Sequence, residues 1–184
     1  DMRWPKCVIP WRAGLIFAET YRDGECRGFR HIGMRRDERT LQPETYFDSG
    51  FEPRDRGFPH VICDPMLATG GTTAAIVDRL VADGVPESRI SVQAIVAAPE
   101  GVDFLLHVYP GLRIVTAALD ECLDARGYIT GPGLGDFGDL AFSDIDAAYA
   151  EQHWIRKEIL TPEMADRILA RTRAIADEHH HASS

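Results

Sequence analysis

No apolar run in this 184-residue chain approaches the length of a membrane span, and no signal peptide is visible. A membrane partner is therefore not expected, and the chain reads as cytoplasmic. Cysteine is scarce: Cys7, Cys26, Cys63 and Cys122 stand alone, none paired at metal-ligand spacing. Cys7 and Cys63 sit in apolar, strand-like runs, so free thiols in a reducing compartment are expected rather than a disulfide framework or a metal site. Positive charge is outweighed, with 20 Lys and Arg against 29 Asp and Glu, a net charge of −9. That balance disfavours nucleic acid and anionic membrane as partners, and any phosphate ligand must be held by a local basic cluster. Internal repeats are absent, and the length leaves no room for two full domains.

What is present is an alternation of strand-like and helix-like runs. Lys6 to Pro10 reads as a strand, Ala13 to Arg22 as a helix and Phe29 to Arg35 as a second strand. Thr45 to Phe47 reads as a short edge strand, and Asp48 to Pro59, rich in Gly, Pro and charge, as a loop. His60 to Cys63 is a compact apolar strand, and Thr72 to Ala82 a helix with Ile76, Val77, Leu80 and Val81 on one face, stopped by Gly84. Ile90 to Ala97 and Arg113 to Ala118 are further strands, with a helix from Val102 to His107 between them. Continuous apolar strands separated by helices predict a parallel sheet covered on both faces. Residues 120–138, with five glycines, read as loop. Two helices follow, the second opened by Thr161 as N-cap and Pro162 at its first position.

The richest motif is Val61-Ile62-Cys63-Asp64-Pro65-Met66-Leu67-Ala68-Thr69-Gly70-Gly71-Thr72. An apolar strand delivers an acid to its carboxyl end, a turn of small residues follows, and a helix begins. Ligands of parallel α/β sheets sit outside the carboxyl ends of the strands. Small residues let backbone N–H groups close on a phosphate, and the new helix aims its positive end at the same point. Thr69 and Thr72 can add hydroxyl donors. Asp64 repels phosphate and suits ribose hydroxyls or a hydrated Mg²⁺. An ordinary strand–turn–helix with a capping Thr would explain Thr-Gly-Gly-Thr alone, though not the whole string. The Gly-Lys-Ser/Thr ending of a Walker loop is missing.

Asp64 to Thr72 closely resembles the phosphoribosyl pyrophosphate loop of uracil phosphoribosyltransferases. The resemblance runs from Lys6 to Phe142, three quarters of the chain. Matching segments follow in order: Arg12-Ala13-Gly14; Arg35-Arg36-Asp37-Glu38 with Thr40, Leu41 and Pro43; Val96 to Gly101; and Thr116 to Asp120, Gly127-Tyr128-Ile129 and Pro132 to Asp139. The resemblance implies an α/β fold of the type I phosphoribosyltransferase kind, a parallel sheet flanked by helices with a C-terminal helical appendage. It implies transfer of ribose 5-phosphate from phosphoribosyl pyrophosphate to uracil, giving UMP and pyrophosphate, with Mg²⁺ as cofactor. Arg12 and Arg36 would take the pyrophosphate, and Ala68, Thr69, Gly70, Gly71 and Thr72 the 5-phosphate, with Asp64, Pro65, Met66 and Leu67 completing that loop. Asp136 would lie beside base and ribose, grouped with Arg12 and Arg36 as catalytic. Ile129, Gly135 and Phe137 would read the base, largely through main-chain groups. A homodimer and a GTP effector belong to the same expectation.

For single residues the plain readings stay open. Arg12 is a surface cation on its own, Asp136 a turn aspartate between glycines, and Phe137 and Ile129 core residues. His31, His60, His107 and His153 lack partner motifs and read as structural, and His179 to His181 as a frayed tail. Against the family's pattern, the N-terminal helix and β arm ahead of Lys6 are not in this sequence, about forty residues follow Phe142, Thr130-Gly131-Pro132 lengthens the base loop by one residue, and Leu140 replaces a basic residue. The expected division is a phosphoribosyltransferase domain at 1–143, a helical extension at 144–178 and a tail at 179–184. The apolar face of Met164, Ala165, Ile168, Leu169 and Ile175 must bury somewhere, which predicts that the extension covers the surface left bare by the missing arm. Two alternatives remain at this point: a non-catalytic module that binds phosphoribosyl pyrophosphate, and a transferase for another base.

Overall fold

The computed structural model describes residues 4–21, 25–36, 43–125, 127–129, 161–164, 166, 167, 169 and 170, with Arg36 described by its backbone alone. The chain divides into two units, Asp1–Gly135 and Asp136–Ser184. In the second, helix begins at residue 162, and the Met164 N–H donates to Thr161 Oγ1 at 3.3 Å. Thr161 thus caps the helix that the Thr-Pro pair announces.

The described residues of the first unit form a seven-stranded sheet. Its strands are β1 (Lys6–Trp11), β2 (Phe29–Arg36), β3 (Pro43–Asp48), β4 (His60–Cys63), β5 (Met66–Leu67), β6 (Ile90–Ala97) and β7 (Arg113–Leu119). Helices α1 (Leu15–Thr20), α2 (Gly71–Ala82) and α3 (Pro99–Val108) connect them. The order runs β3-β2-β1-β4-β6, with β7 beside β6 and β5 pairing the carboxyl end of β6. All pairs are parallel except β2 with β3. The chain moves one way from β1 to β2 and the opposite way from β4 to β6 and β7. Crossovers are right-handed, so α1 lies on one face of the sheet and α2 and α3 on the other.

Strand alternation agrees with that arrangement. Val8, Ile32, Ile62 and Val92 join Ile76, Val77 and Leu80 of α2 and Leu105 of α3 in one buried cluster. The intervening Cys7, Ile9 and Cys63 are buried as well and face the α1 side. Because both faces are covered, β1 and β4 read as unbroken apolar runs. None of the four cysteines is in a disulfide. Among the described residues no helix is long and apolar enough to cross a membrane.

Strands β1, β2, β4, β6 and β7 match the expectation to within a residue, β3 begins two residues before the expected Thr45, and two helices do not match. Helix α1 is shorter than Ala13 to Arg22, because Ala13 and Gly14 belong to a tight turn and the backbone is extended again at Tyr21. Helix α3 starts three residues earlier than the periodicity suggests, with Pro99 at its first position. Helix α2 ends in a Schellman motif: the Gly84 N–H donates to Val81 O and the Val85 N–H to Leu80 O, at 2.9 and 3.0 Å. The segment read as a loop contains a single 3-10 turn, Pro53–Gly57.

One ion network ties α2 to the far edge of the sheet. Arg30 is 1% exposed and forks onto both carboxylate oxygens of Asp48, at 3.0 and 2.7 Å, while its Nη1 donates to Asp83 at 2.6 Å. Asp83 is the C-cap of α2 and Asp48 ends β3, so three elements meet on one guanidinium. Replacing Arg30 by Leu would take the guanidinium from Asp83 and leave Asp48 with Arg79 alone, at 3.3 Å. A loss of about 3–5 kcal/mol is expected in urea denaturation.

His60, fully buried at the start of β4, supplies an acid-sensitive element. Its Nδ1 donates to the Phe58 carbonyl at 3.1 Å, and its Nε2 has no hydrogen-bond partner among the described residues. Burial holds its pKa below 6.5, and the Phe58 carbonyl only partly offsets this. The unfolded chain therefore binds the proton first as pH falls below 6.5. Stability from this group is complete above 6.5 and declines as pH falls through the lower folded value. His60→Gln should flatten that limb of a plot of denaturation midpoint against pH.

Candidate functional site

The strand order reverses at β1. Chain progression runs from β1 to β2 on one side, while β4 lies on the other, so the carboxyl ends of β1 and β4 flank a topological switch point. In open α/β sheets this crevice is where ligands bind. Arg12 follows directly after β1, Asp64 directly after β4, and Arg36 is the last residue of β2. These strands are neighbours and run in the same direction, so the three positions share one edge of the sheet.

Arg12 opens a turn. The Gly14 N–H donates to Pro10 O at 2.9 Å and the Leu15 N–H to Arg12 O at 3.0 Å. The Trp11–Arg12 peptide is cis. Just before it, the Trp11 ring stacks on Phe47 with centroids 4.4 Å apart, and its indole N–H donates to His31 Nδ1 at 3.1 Å. Gly14 is pressed against the end of β4: a Cβ there would stand 2.6 Å from Cys63 O and from Pro10 O. Only glycine lets the Arg12 turn lie this close to Asp64.

From Asp64 the chain makes a compact path. Pro65 is buried, and its carbonyl accepts from the Ile95 and Val96 N–H groups at 3.0 and 3.1 Å. Met66–Leu67 then forms β5, a two-residue parallel strand absent from the sequence expectation. Ala68 and Thr69 are half-buried, and Thr72 is exposed. Gly70, at φ 80°, turns the chain into α2 without a side-chain cap, and the first turn of α2 carries no acidic residue. The Gly71 N–H leans on Thr69 Oγ1 at 3.5 Å, and the remaining orphan N–H groups of that turn and the helix dipole are open to an anion.

Asp64 is half-buried, and each of its carboxylate oxygens has a donor. Oδ1 accepts from the Met66 N–H at 3.2 Å, and Oδ2 from the Thr73 hydroxyl at 3.4 Å. Desolvation nevertheless dominates and pushes the carboxyl up to about 6. Near neutral pH it is an acceptor, suited to hydroxyl groups and repelled by phosphate.

The loop is held from below by α3. A Cβ at Gly101 would stand 2.0 Å from Ala68 O, a backbone atom. A small antiparallel bridge, Leu123 with Ile129, lies on the same side. The Leu123 N–H donates to Glu100 Oε1 at 2.9 Å, and a Cβ at Gly127 would stand 3.1 Å from the Thr69 methyl group. Ile129 is 7% exposed and Tyr128 50% exposed, so Ile129 packs inward at the start of the expected base loop. Gly135, Asp136 and Phe137 lie outside the described residues, as does the Arg36 side chain.

Sequence reasoning missed two contributors. Gly101 closes the matching segment Val96 to Gly101, but its contact with the loop is not written in the sequence, where the expected helix begins only at Val102. Thr73 signals itself as a β-branched hydroxyl residue inside an apolar helix face. Among the described residues no group of three or more His, Cys, Asp or Glu is placed to hold a metal ion.

Comparison with known proteins bears on this geometry. The family model described as uracil phosphoribosyltransferase matches residues 5–143. A uracil phosphoribosyltransferase of Nicotiana tabacum is 37% identical over 153 residues, which cover 77% of this chain and 64% of the relative. One of Streptococcus suis is 50% identical over 113 residues, covering 61% of this chain and 52% of the relative. The chain thus spans between half and two thirds of the length of these relatives. A solved structure from Aquifex aeolicus superposes with a TM-score of 0.67 at 32% identity, over 76% of this chain and 65% of that one. The sheet, with its helices on both faces and its small-residue loop at the switch point, accordingly has the type I phosphoribosyltransferase fold, and the chain belongs to the uracil phosphoribosyltransferase family.

Proposed function

We propose that this chain transfers ribose 5-phosphate from phosphoribosyl pyrophosphate to uracil, giving UMP and pyrophosphate. The observation that carries the reading is the Asp64–Thr72 path: an acceptor carboxylate followed by an uncapped helix N-terminus, at the switch point of a chain of this family. A ribose with a 5-phosphate carries hydroxyls and an anion a few ångströms apart. Asp64 would accept from the ribose hydroxyls, and Ala68, Thr69, Gly70, Gly71 and Thr72 would close on the phosphate.

Bond making and breaking occur at the anomeric carbon. The C1′–O bond breaks with its electron pair leaving on pyrophosphate, the bond from C1′ to the uracil nitrogen forms, and the proton of that nitrogen passes to the departing pyrophosphate. The transition state has oxocarbenium character, so leaving-group charge and exclusion of water matter more than covalent help. Arg12 and Arg36 would neutralise the departing pyrophosphate, and Asp136 would orient the base beside them. Ile129, Gly135 and Phe137 would frame the base, and Pro65, Met66 and Leu67 carry the loop that presents Asp64. Mg²⁺ would supply further neutralisation of the pyrophosphate charge, with Asp64 and Asp136 as the carboxylates available to hold it. The same reading takes the catalytic domain as 1–143, with an extension at 144–178 and a tail at 179–184. It takes a homodimer as the assembly, GTP as an effector and the cytoplasm as the compartment. Its support is the family resemblance.

Calorimetric titration with phosphoribosyl pyrophosphate and Mg²⁺, then uracil with pyrophosphate release followed, tests the function. Binding and turnover are expected, and a chain that binds without turnover with uracil would not have this activity. Because the Asp64 carboxyl sits at about 6, affinity for the ribosyl substrate should fall as pH drops below that value and Asp64 gains a proton. Asp64→Asn should weaken binding and remove this part of the pH dependence.

Gly101→Ala forces a methyl group onto the Ala68 carbonyl, so loop or helix must shift. A stability loss of about 1–3 kcal/mol is expected in thermal denaturation. A rise in the KM for phosphoribosyl pyrophosphate, with that for uracil less affected, should accompany it.

A further inference from the structure

Thr73 stands in the first turn of α2, 1% exposed, on the face that packs into the core. Valine has the same shape and would fill that space without burying a hydroxyl. Burying a hydroxyl costs free energy unless it is hydrogen-bonded. In helices a threonine hydroxyl commonly folds back onto the carbonyl of the preceding turn. Here it reaches out of its helix instead, to Asp64 Oδ2 at 3.4 Å.

Asp64 needs that contact. Asp64 is half-buried just past the end of β4, and the Met66 N–H engages Oδ1 alone. Rotation about the terminal carboxylate bond is soft and two-fold. A single donor on one oxygen leaves the plane free to swing. A second donor, on the other oxygen and from a different element, fixes it. Each carboxylate oxygen accepts more than one hydrogen bond, so both retain an acceptor site for a ligand. Two adjacent hydroxyls of a ribose ring are the matching donors.

We propose that Thr73 is a positioning residue for ribose binding: its hydroxyl locks the Asp64 carboxylate in the orientation that receives the two ribose hydroxyls of phosphoribosyl pyrophosphate. This rests on the function proposed above and adds to it a residue that never touches substrate. The lock spans the loop, from the end of β4 to α2, so the orientation of the ribose acceptor is coupled to the helix N-terminus that takes the 5-phosphate.

The test compares Thr73→Val, Thr73→Ala and Thr73→Ser with the wild-type chain, by calorimetric affinity for phosphoribosyl pyrophosphate with Mg²⁺ and by steady-state kinetics. Loss of the hydroxyl in the Val and Ala variants should weaken that affinity roughly five- to tenfold, the scale of one hydrogen bond to a charged group. The KM for uracil should stay at its wild-type value. Ser, which keeps the hydroxyl and loses the methyl, should bind within about twofold of wild type, whereas a packing role would make Ser fail and Val succeed. In an Asp64→Asn background the difference between Ser and Ala should shrink, because the partner charge is gone. The Ser and Ala pair gives the answer by itself if the Val variant does not fold. Wild-type affinity in both Val and Ala, or equal loss in Ser and Ala, overturns the role of Thr73 alone. Absence of binding by the wild-type chain overturns the proposed function and this inference together.

Discussion

Backbone meeting backbone is the constraint on which this site depends. On one side the Arg12 turn lies against the end of β4 at Gly14, and on the other the first turn of α3 lies against the Asp64–Thr72 loop at Gly101. A Cβ would stand 2.6 Å from Cys63 O at the first contact and 2.0 Å from Ala68 O at the second. Parallel strands end in loops that open outward, and loops free to open do not hold a ligand. Two glycine contacts close the crevice from both directions at the cost of some helix propensity in α3.

Electrostatics then work locally against a net charge of −9. The N-terminus of α2 presents unsatisfied N–H groups, with no acid in its first turn. The same helix is anchored at its other end, where Asp83 meets the buried Arg30 together with Asp48. Anchoring matters because an anion site made of backbone groups is only as well placed as the helix that carries it. Asp64 completes the pattern. Desolvation raises its carboxyl to about 6, while the Met66 and Thr73 donors work in the opposite direction and keep it usable as an acceptor near neutral pH.

Strand positions were legible because buried parallel strands are continuous apolar runs bounded by turn residues, and β4 and β6 match their runs residue for residue. Helix limits were less legible. The apolar period of α3 begins at Val102, but Pro99 starts the helix, since proline is preorganised for a first turn. Helix α1 loses Ala13 because Gly14 is committed to contact with Cys63, a residue 49 positions away. Strand β5 has two residues after a proline and no period to read, and it exists because Val96 and Ala97 offer it free backbone groups.

From residues alone came the type of site: an acid at a strand end, small residues, then a helix, together with an arginine after the first strand. Those are properties of local chemistry, which needs no partner to be recognised. What tertiary structure decided was which groups share the site's support. Gly101 touches Ala68 and Thr73 reaches Asp64 only because α2 and α3 pack side by side on the face of the sheet that β4 and β6 present. The Gly101–Ala68 contact joins positions far apart in the chain, and the Thr73–Asp64 contact, between residues 9 positions apart, depends on the path the loop takes between them; no spacing or period along the chain encodes either distance.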